Sequence, residues 1–215
     1  MENEVTDFGT CAAQRVGRRA ALGAGAGGVA LSLLPFLSGR AAATTPPDST
    51  TVATTAPPQR PTNDDLAVLG EAQVLELTAR ALYDEAIAAG GWSEEQAVVM
   101  VYIREAHEAY AQSLAGLIGR TAPGVRSEKL FTSLKAGFGG SVDGTLAAAY
   151  ALESAAVATH ADVLSLLVGI DGAALIASIQ MNEARFCTVL ADLSGVTDEA
   201  DLLVDSEADS LVGKG

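Results

Sequence analysis

Apolar residues recur at 3/4 spacing along four stretches of the chain. They are Leu69, Ala72, Ala79, Tyr83 and Ile87; Met100, Ala111, Leu114 and Ile118; Leu146, Ala149, Ala156, Val163 and Leu167; and Ile176, Ile179, Phe186, Leu190 and Leu193. That spacing places each set on one face of an α-helix. Every stripe is interrupted near its middle by ionisable residues: Glu76 in the first, Arg104 and His107 in the second, Glu153 and His160 in the third, Glu183 in the fourth. A carboxylate on a face bound for a core must be hydrogen-bonded, paired, protonated or metal-bound, because charged and alone it costs several kcal/mol. Four such faces predict one shared polar site.

Local signals set the limits of these helices. The first begins at Asn63 or Asp64, both good N-caps, and stops at the glycine pair 90 and 91. Ser93, Glu94, Glu95 and Gln96 form a capping box, after which the pattern runs to Gly119. So short a connection makes the first two helices antiparallel neighbours. The pattern breaks over residues 120 to 144, where Pro123, Gly124 and Gly137, Gly139 and Gly140 surround a short amphipathic piece at 127 to 135. A third helix runs from about Asp143 to Val168; Gly169, Ile170, Asp171 and Gly172 turn the chain, Asp171 caps the fourth helix, and Ser194 and Gly195 end it. No strand-like alternation competes, so the fold class is all-α.

The ends read differently. A polar stretch closing on Arg18 and Arg19, a glycine-rich apolar run over 20 to 38, and small residues at 41 to 43 resemble a twin-arginine (Tat) export signal. Residues 1–43 are therefore expected to be a targeting segment, with extracytoplasmic delivery and any membrane contact only through an uncleaved signal. Residues 44–63, rich in Thr, Pro and Ala, read as a linker. The helical domain occupies 64–195, and 196–215 is an acidic tail, read as solvated or loosely docked. Residues 44–215 hold nine Lys/Arg against 24 Asp/Glu, a formal charge of −15, which disfavours nucleic acid and anionic lipid as partners. Cys187 is the sole cysteine after the signal, so the exported chain forms no internal disulfide.

The order of charges repeats. Glu76 precedes Arg104-x-x-His107 by 28 residues, and Glu153 precedes Glu183-x-x-Phe186 by 30. This order, with its short, long, short connections, resembles the ferritin-like superfamily, whose di-metal bundles use Glu on one helix and Glu-x-x-His on the next, twice over, with one long crossover between helices 2 and 3. Arg104 stands where the first half would carry Glu, and Phe186 where the second would carry His; four of six ligand positions remain. The resemblance implies a four-helix bundle with Glu76, His107 and Glu183 around one metal position, and Glu153 with a share of Glu183 at the other. Arg104 is expected to project into the same region as a replacement cation, and His160, two turns after Glu153, to lie outside it. Cys187 is a core thiol or a substitute for the missing imidazole, and Tyr83 and Tyr110 either pack or hydrogen-bond the carboxylates.

Two functions follow. The first is an exported ferritin-like module, binding or structural, whose di-metal site has degenerated to a partial site or a metal-free polar core, with a protein or small molecule as partner. The second is a metal-dependent oxidoreductase or iron-handling protein with one Fe or Mn ion at Glu76, His107 and Glu183.

Overall fold

Thr62 starts the first helix. Its hydroxyl accepts from Asp65 N at 3.2 Å while Asp65 Oδ2 accepts from Thr62 N at 2.8 Å, closing a capping box on Thr62, so that Asn63 is the first helical residue and not the cap. The structure is a computed structural model; it describes residues 56–199 and 202–211, so the expected signal and most of the expected linker lie outside the described residues. The elements in order are α1 (Asn63–Ala89), α2 (Glu94–Ile118), a 3-10 turn (Gly119–Thr121), α3 (Glu128–Phe138), α4 (Val142–Leu166) and α5 (Ile170–Leu193). All described elements are helical.

Side-chain pairs fix the helix directions. Gln73 donates to Ala111 O, Arg80 pairs with Glu108 and Asp84 with Arg104, so partner numbers fall along α2 as they rise along α1 and the two helices are antiparallel. Gly90 and Gly91, at φ 72° and 84°, make the intervening turn in a backbone region that favours glycine. Tyr83 meets Glu153 and Glu76 meets His160, so α4 also opposes α1 and runs the same way as α2. The chain must therefore travel back along the bundle between α2 and α4. The short α3 makes that return: Ser127 N donates to Thr78 Oγ1 at its start and Lys135 Nζ to Glu85 Oε1 near its end, with Leu130, Phe131 and Phe138 buried. The amphipathic piece read at 127 to 135 is this helix.

The α4–α5 corner departs from the sequence reading. Asp171 lies inside the first turn of α5, and Gly169 occupies the cap position without a side-chain cap. Two backbone amides there are met from α1, since Asp65 accepts from Val168 N at 2.8 Å and Gly169 N at 2.9 Å. A Cβ at Gly169 would sit 2.8 Å from Arg60 O and Pro61 Cα, which explains why a residue without a side chain fills this corner. The acidic tail is docked rather than solvated over its described part: Tyr150 donates to Leu203 O, Asp205 N to Ser154 Oγ and Leu211 N to Thr159 Oγ1, so it follows α4 in the same direction.

Two apolar layers flank the polar residues. One contains Leu82, Met100, Ile103, Phe138, Leu146 and Leu190; the other Leu69, Leu114, Val163, Ile176 and Ile179. Buried alanines at 72, 79, 111, 149 and 156 let the helices approach closely, which brings facing polar side chains within bonding reach. No helix among the described residues is long and apolar enough to cross a membrane.

Candidate metal centre

Between the apolar layers, five ionisable residues from four helices meet: Glu76 on α1, His107 on α2, Glu153 and His160 on α4, and Glu183 on α5. Each is fully buried. They form an alternating series in which carboxylates and imidazoles take turns. Glu153 Oε1 lies 3.1 Å from His107 Nε2, and His107 Nδ1 2.7 Å from Glu76 Oε2. Glu76 Oε1 faces His160 Nε2 at 3.2 Å, and His160 Nδ1 lies 2.7 Å from Glu183 Oε2. Tyr83 closes the Glu153 end, its hydroxyl donating to Oε1 at 2.6 Å.

The structure thus brings together Glu76, His107, Glu153 and Glu183, the four ligand positions retained in the sequence. It places the two other residues differently. Arg104 lies at the surface, where its Nε donates to Asp84 Oδ1 at 2.9 Å and its Nη2 is 3.8 Å from Glu108, so it is no replacement cation for the core. The desolvation of a guanidinium is avoided by this outward turn. His160 is a member of the cluster rather than a neighbour outside it. Seven residues span about 10.5 Å of helix, too far for one compact shell on α4 alone; the antiparallel register of α1 supplies the bridge, setting Tyr83 opposite Glu153 and Glu76 opposite His160. The signal was present in the stripe, since His160 shares the buried face with Glu153 and Val163.

Electrostatics couples these groups. Burial pushes the Glu76 carboxyl up, but the His107 and His160 imidazoles beside it outweigh burial and hold it at about 2. Burial pulls both imidazoles down, yet Glu153 and Glu76 raise His107 well above its ordinary value, and Glu183 and Glu76 raise His160 to about 10. Glu183 has only one imidazole against its burial and the charges of Glu76 and Glu153, and it rises to about 7. Without a metal, both imidazoles carry protons at neutral pH and neutralise two carboxylates.

The two flanking candidates do other work. Cys187 is buried against Ser154 Oγ at 3.6 Å, and burial pushes its thiol up to about 12, which marks a core thiol. Phe186, at the position where a Glu-x-x-His motif would place imidazole, is buried with its ring centroid 6.4 Å from that of His107.

A model of the ferritin-like domain family matches residues 64–196. The chain belongs to the ferritin-like family. Neither the curated proteins nor the solved structures give a match. In this ferritin-like bundle, ligand atoms of Glu76, His107 and Glu183 all lie within 4.8 Å of one another, the spacing of donors around one ion. Four buried atoms able to bind a metal, Glu76 Oε1, Glu153 Oε2, His160 Nε2 and Glu183 Oε1, have no hydrogen-bond partner among the described residues. Carboxylate oxygen with imidazole nitrogen suits Fe, Mn or Zn, so the residues present fit a metal ion.

Proposed function

We propose that this is an exported ferritin-like protein that holds a redox-active metal, Fe or Mn, in the middle of its bundle through Glu76, His107 and Glu183. The observation carrying this reading is the set of four buried oxygen and nitrogen atoms without a hydrogen bond among the described residues, two of them, Glu76 Oε1 and His160 Nε2, facing each other at 3.2 Å, since such atoms are uncommon in a settled core. A bound ion would supply electron transfer or Lewis-acid chemistry. The chain's own residues bind and screen it: two apolar layers exclude water, Tyr83 orients Glu153, and Glu183 fixes the ring of His160 through Nδ1. Export rests on Arg18, Arg19 and the apolar run that follows them.

The second reading is the metal-free polar core of a binding or structural module. The two 2.7 Å imidazole–carboxylate contacts favour it, because protons then hold the cluster together where a metal otherwise would. Elemental analysis of protein recovered from its own export route separates the two. The metal reading expects Fe or Mn near one or more per chain in the wild type and a large loss in Glu183→Gln; a wild-type protein that is empty, and stays empty after anaerobic Fe(II) or Mn(II) exposure, overturns it. Arg18 and Arg19 both replaced by Lys should stop export, and unchanged delivery overturns the Tat assignment.

A further inference from the structure

We infer that His160 is a metal ligand, the second imidazole of the centre, supplied by α4 in place of the one the Glu183-x-x-Phe186 motif lacks. The inference rests on the metal reading above and adds a residue outside the Glu76, His107 and Glu183 triad.

Three observations converge on His160. Its ring is fully buried, and its two nitrogens have unequal surroundings. Nδ1 is held by Glu183 Oε2 at 2.7 Å, whereas Nε2 lies 3.2 Å from Glu76 Oε1 and neither of these two atoms makes a hydrogen bond among the described residues. An imidazole tied to a carboxylate through one nitrogen and presenting the other to the site is the arrangement found behind metal-bound histidines, where the carboxylate fixes the tautomer and the ring plane. Glu76 provides the second observation. Its Oε2 reaches His107 and its Oε1 faces His160, so one carboxylate that belongs to the triad sits between both imidazoles. The third is the position His160 replaces. Phe186 fills its place on α5 with an apolar ring packed on His107 and Tyr102, and Arg104, at the surface, supplies no cation there.

Charge agrees with a site that keeps both imidazoles. The two imidazoles and the carboxylates of Glu76, Glu153 and Glu183 meet in one buried cluster, where a divalent cation would offset carboxylate charge that the apolar layers keep from water. An ion at this place would meet Nε2 of His160 on the side that faces Glu76 Oε1, where neither atom has a hydrogen-bond partner among the described residues.

The test uses the full-length protein, with Co(II) and Mn(II) as probes. Wild type, His160→Gln, His160→Ala and the double variant His160→Ala with Phe186→His are titrated, and nitrogen coupling on the bound Mn(II) is counted by pulsed electron paramagnetic resonance. Glutamine can still donate to Glu183, which guards the fold; circular dichroism confirms it. The inference expects two coordinated imidazoles in the wild type and one in His160→Gln. It also expects affinity to fall more than about 100-fold, beyond the loss typical when only a residue behind the ligands is removed, and the second imidazole signal to return in the double variant. A wild type that binds the metal with a single imidazole, or a His160→Gln protein with unchanged affinity and spectrum, overturns this assignment and leaves the triad standing. A wild type that binds neither ion overturns both.

Discussion

His160 Nδ1 and Glu183 Oε2 stand 2.7 Å apart across the α4–α5 interface, the contact that ties the second half of the bundle into one polar centre. It links stability to pH in the metal-free protein. His160 is raised from 6.5 to about 10, so its contribution is complete below 6.5 and lost as pH rises through 10. Glu183 is also raised, from 4.5 to about 7, and binds more protons folded than unfolded over that window; its contribution is complete below 4.5 and lost by 7. Glu76, lowered from 4.5 to about 2, works the other way, being stabilising above 4.5 and lost as pH falls through 2. The melting temperature of the metal-free protein should therefore decline from pH 5 toward 10. In His160→Gln the limb above pH 6.5 should flatten, leaving that of His107; thermal melts across pH with a chelator present check it.

Metal uptake should release protons, because ligands must be deprotonated and both imidazoles are held protonated without a metal. Affinity should rise with pH between 6 and 8. Calorimetric titration in two buffers of different ionisation enthalpy measures the proton count, and zero release would contradict the protonated cluster.

Tyr83→Phe removes the donor to Glu153 Oε1 while leaving the ring, its stacking against His107 and its contact with Phe138 in place. Leaving a buried carboxylate oxygen without that donor should destabilise the protein by about 1–3 kcal/mol. Denaturant unfolding reads the change, and the m-value should stay constant.

Arg104→Glu should leave metal content unchanged. Its effect is confined to the surface: the pair with Asp84 is lost and a carboxylate is set four residues before Glu108, together about 0.5–1 kcal/mol of destabilisation. Elemental analysis and melts side by side with the wild type test both halves.

Asp65→Ala should act at a distance from its own helix. The carboxylate serves Thr62 N, Val168 N and Gly169 N together, so its loss removes half of the α1 capping box and the side-chain acceptor of two amides at the α4–α5 corner. A cost of about 2–3 kcal/mol follows from the buried amides left unpaired. Hydrogen exchange at Val168 and Gly169 should rise more than at His107, which lies in the core.

The sequence by itself determined the helices and the centre's composition in large part. Period and caps located all four long helices, because the 3/4 repeat, the Ser93 box and the glycine turns are local properties of the chain. It also singled out Glu76, His107, Glu153 and Glu183, since a carboxylate on an apolar face is conspicuous without coordinates. What only the tertiary structure decided was the fate of side chains whose partners are remote. Arg104 lies three residues before His107 and so about 60° away around α2; Asp84 and Glu108 draw it outward, and only helix packing puts Asp84 beside it. Asp171 yields the corner to Asp65, one hundred residues and more away. His160 joins the site because α1 lies antiparallel to α4 in a register that sets Glu76 opposite it, and register is settled by the packing of two faces rather than by the periodicity of either.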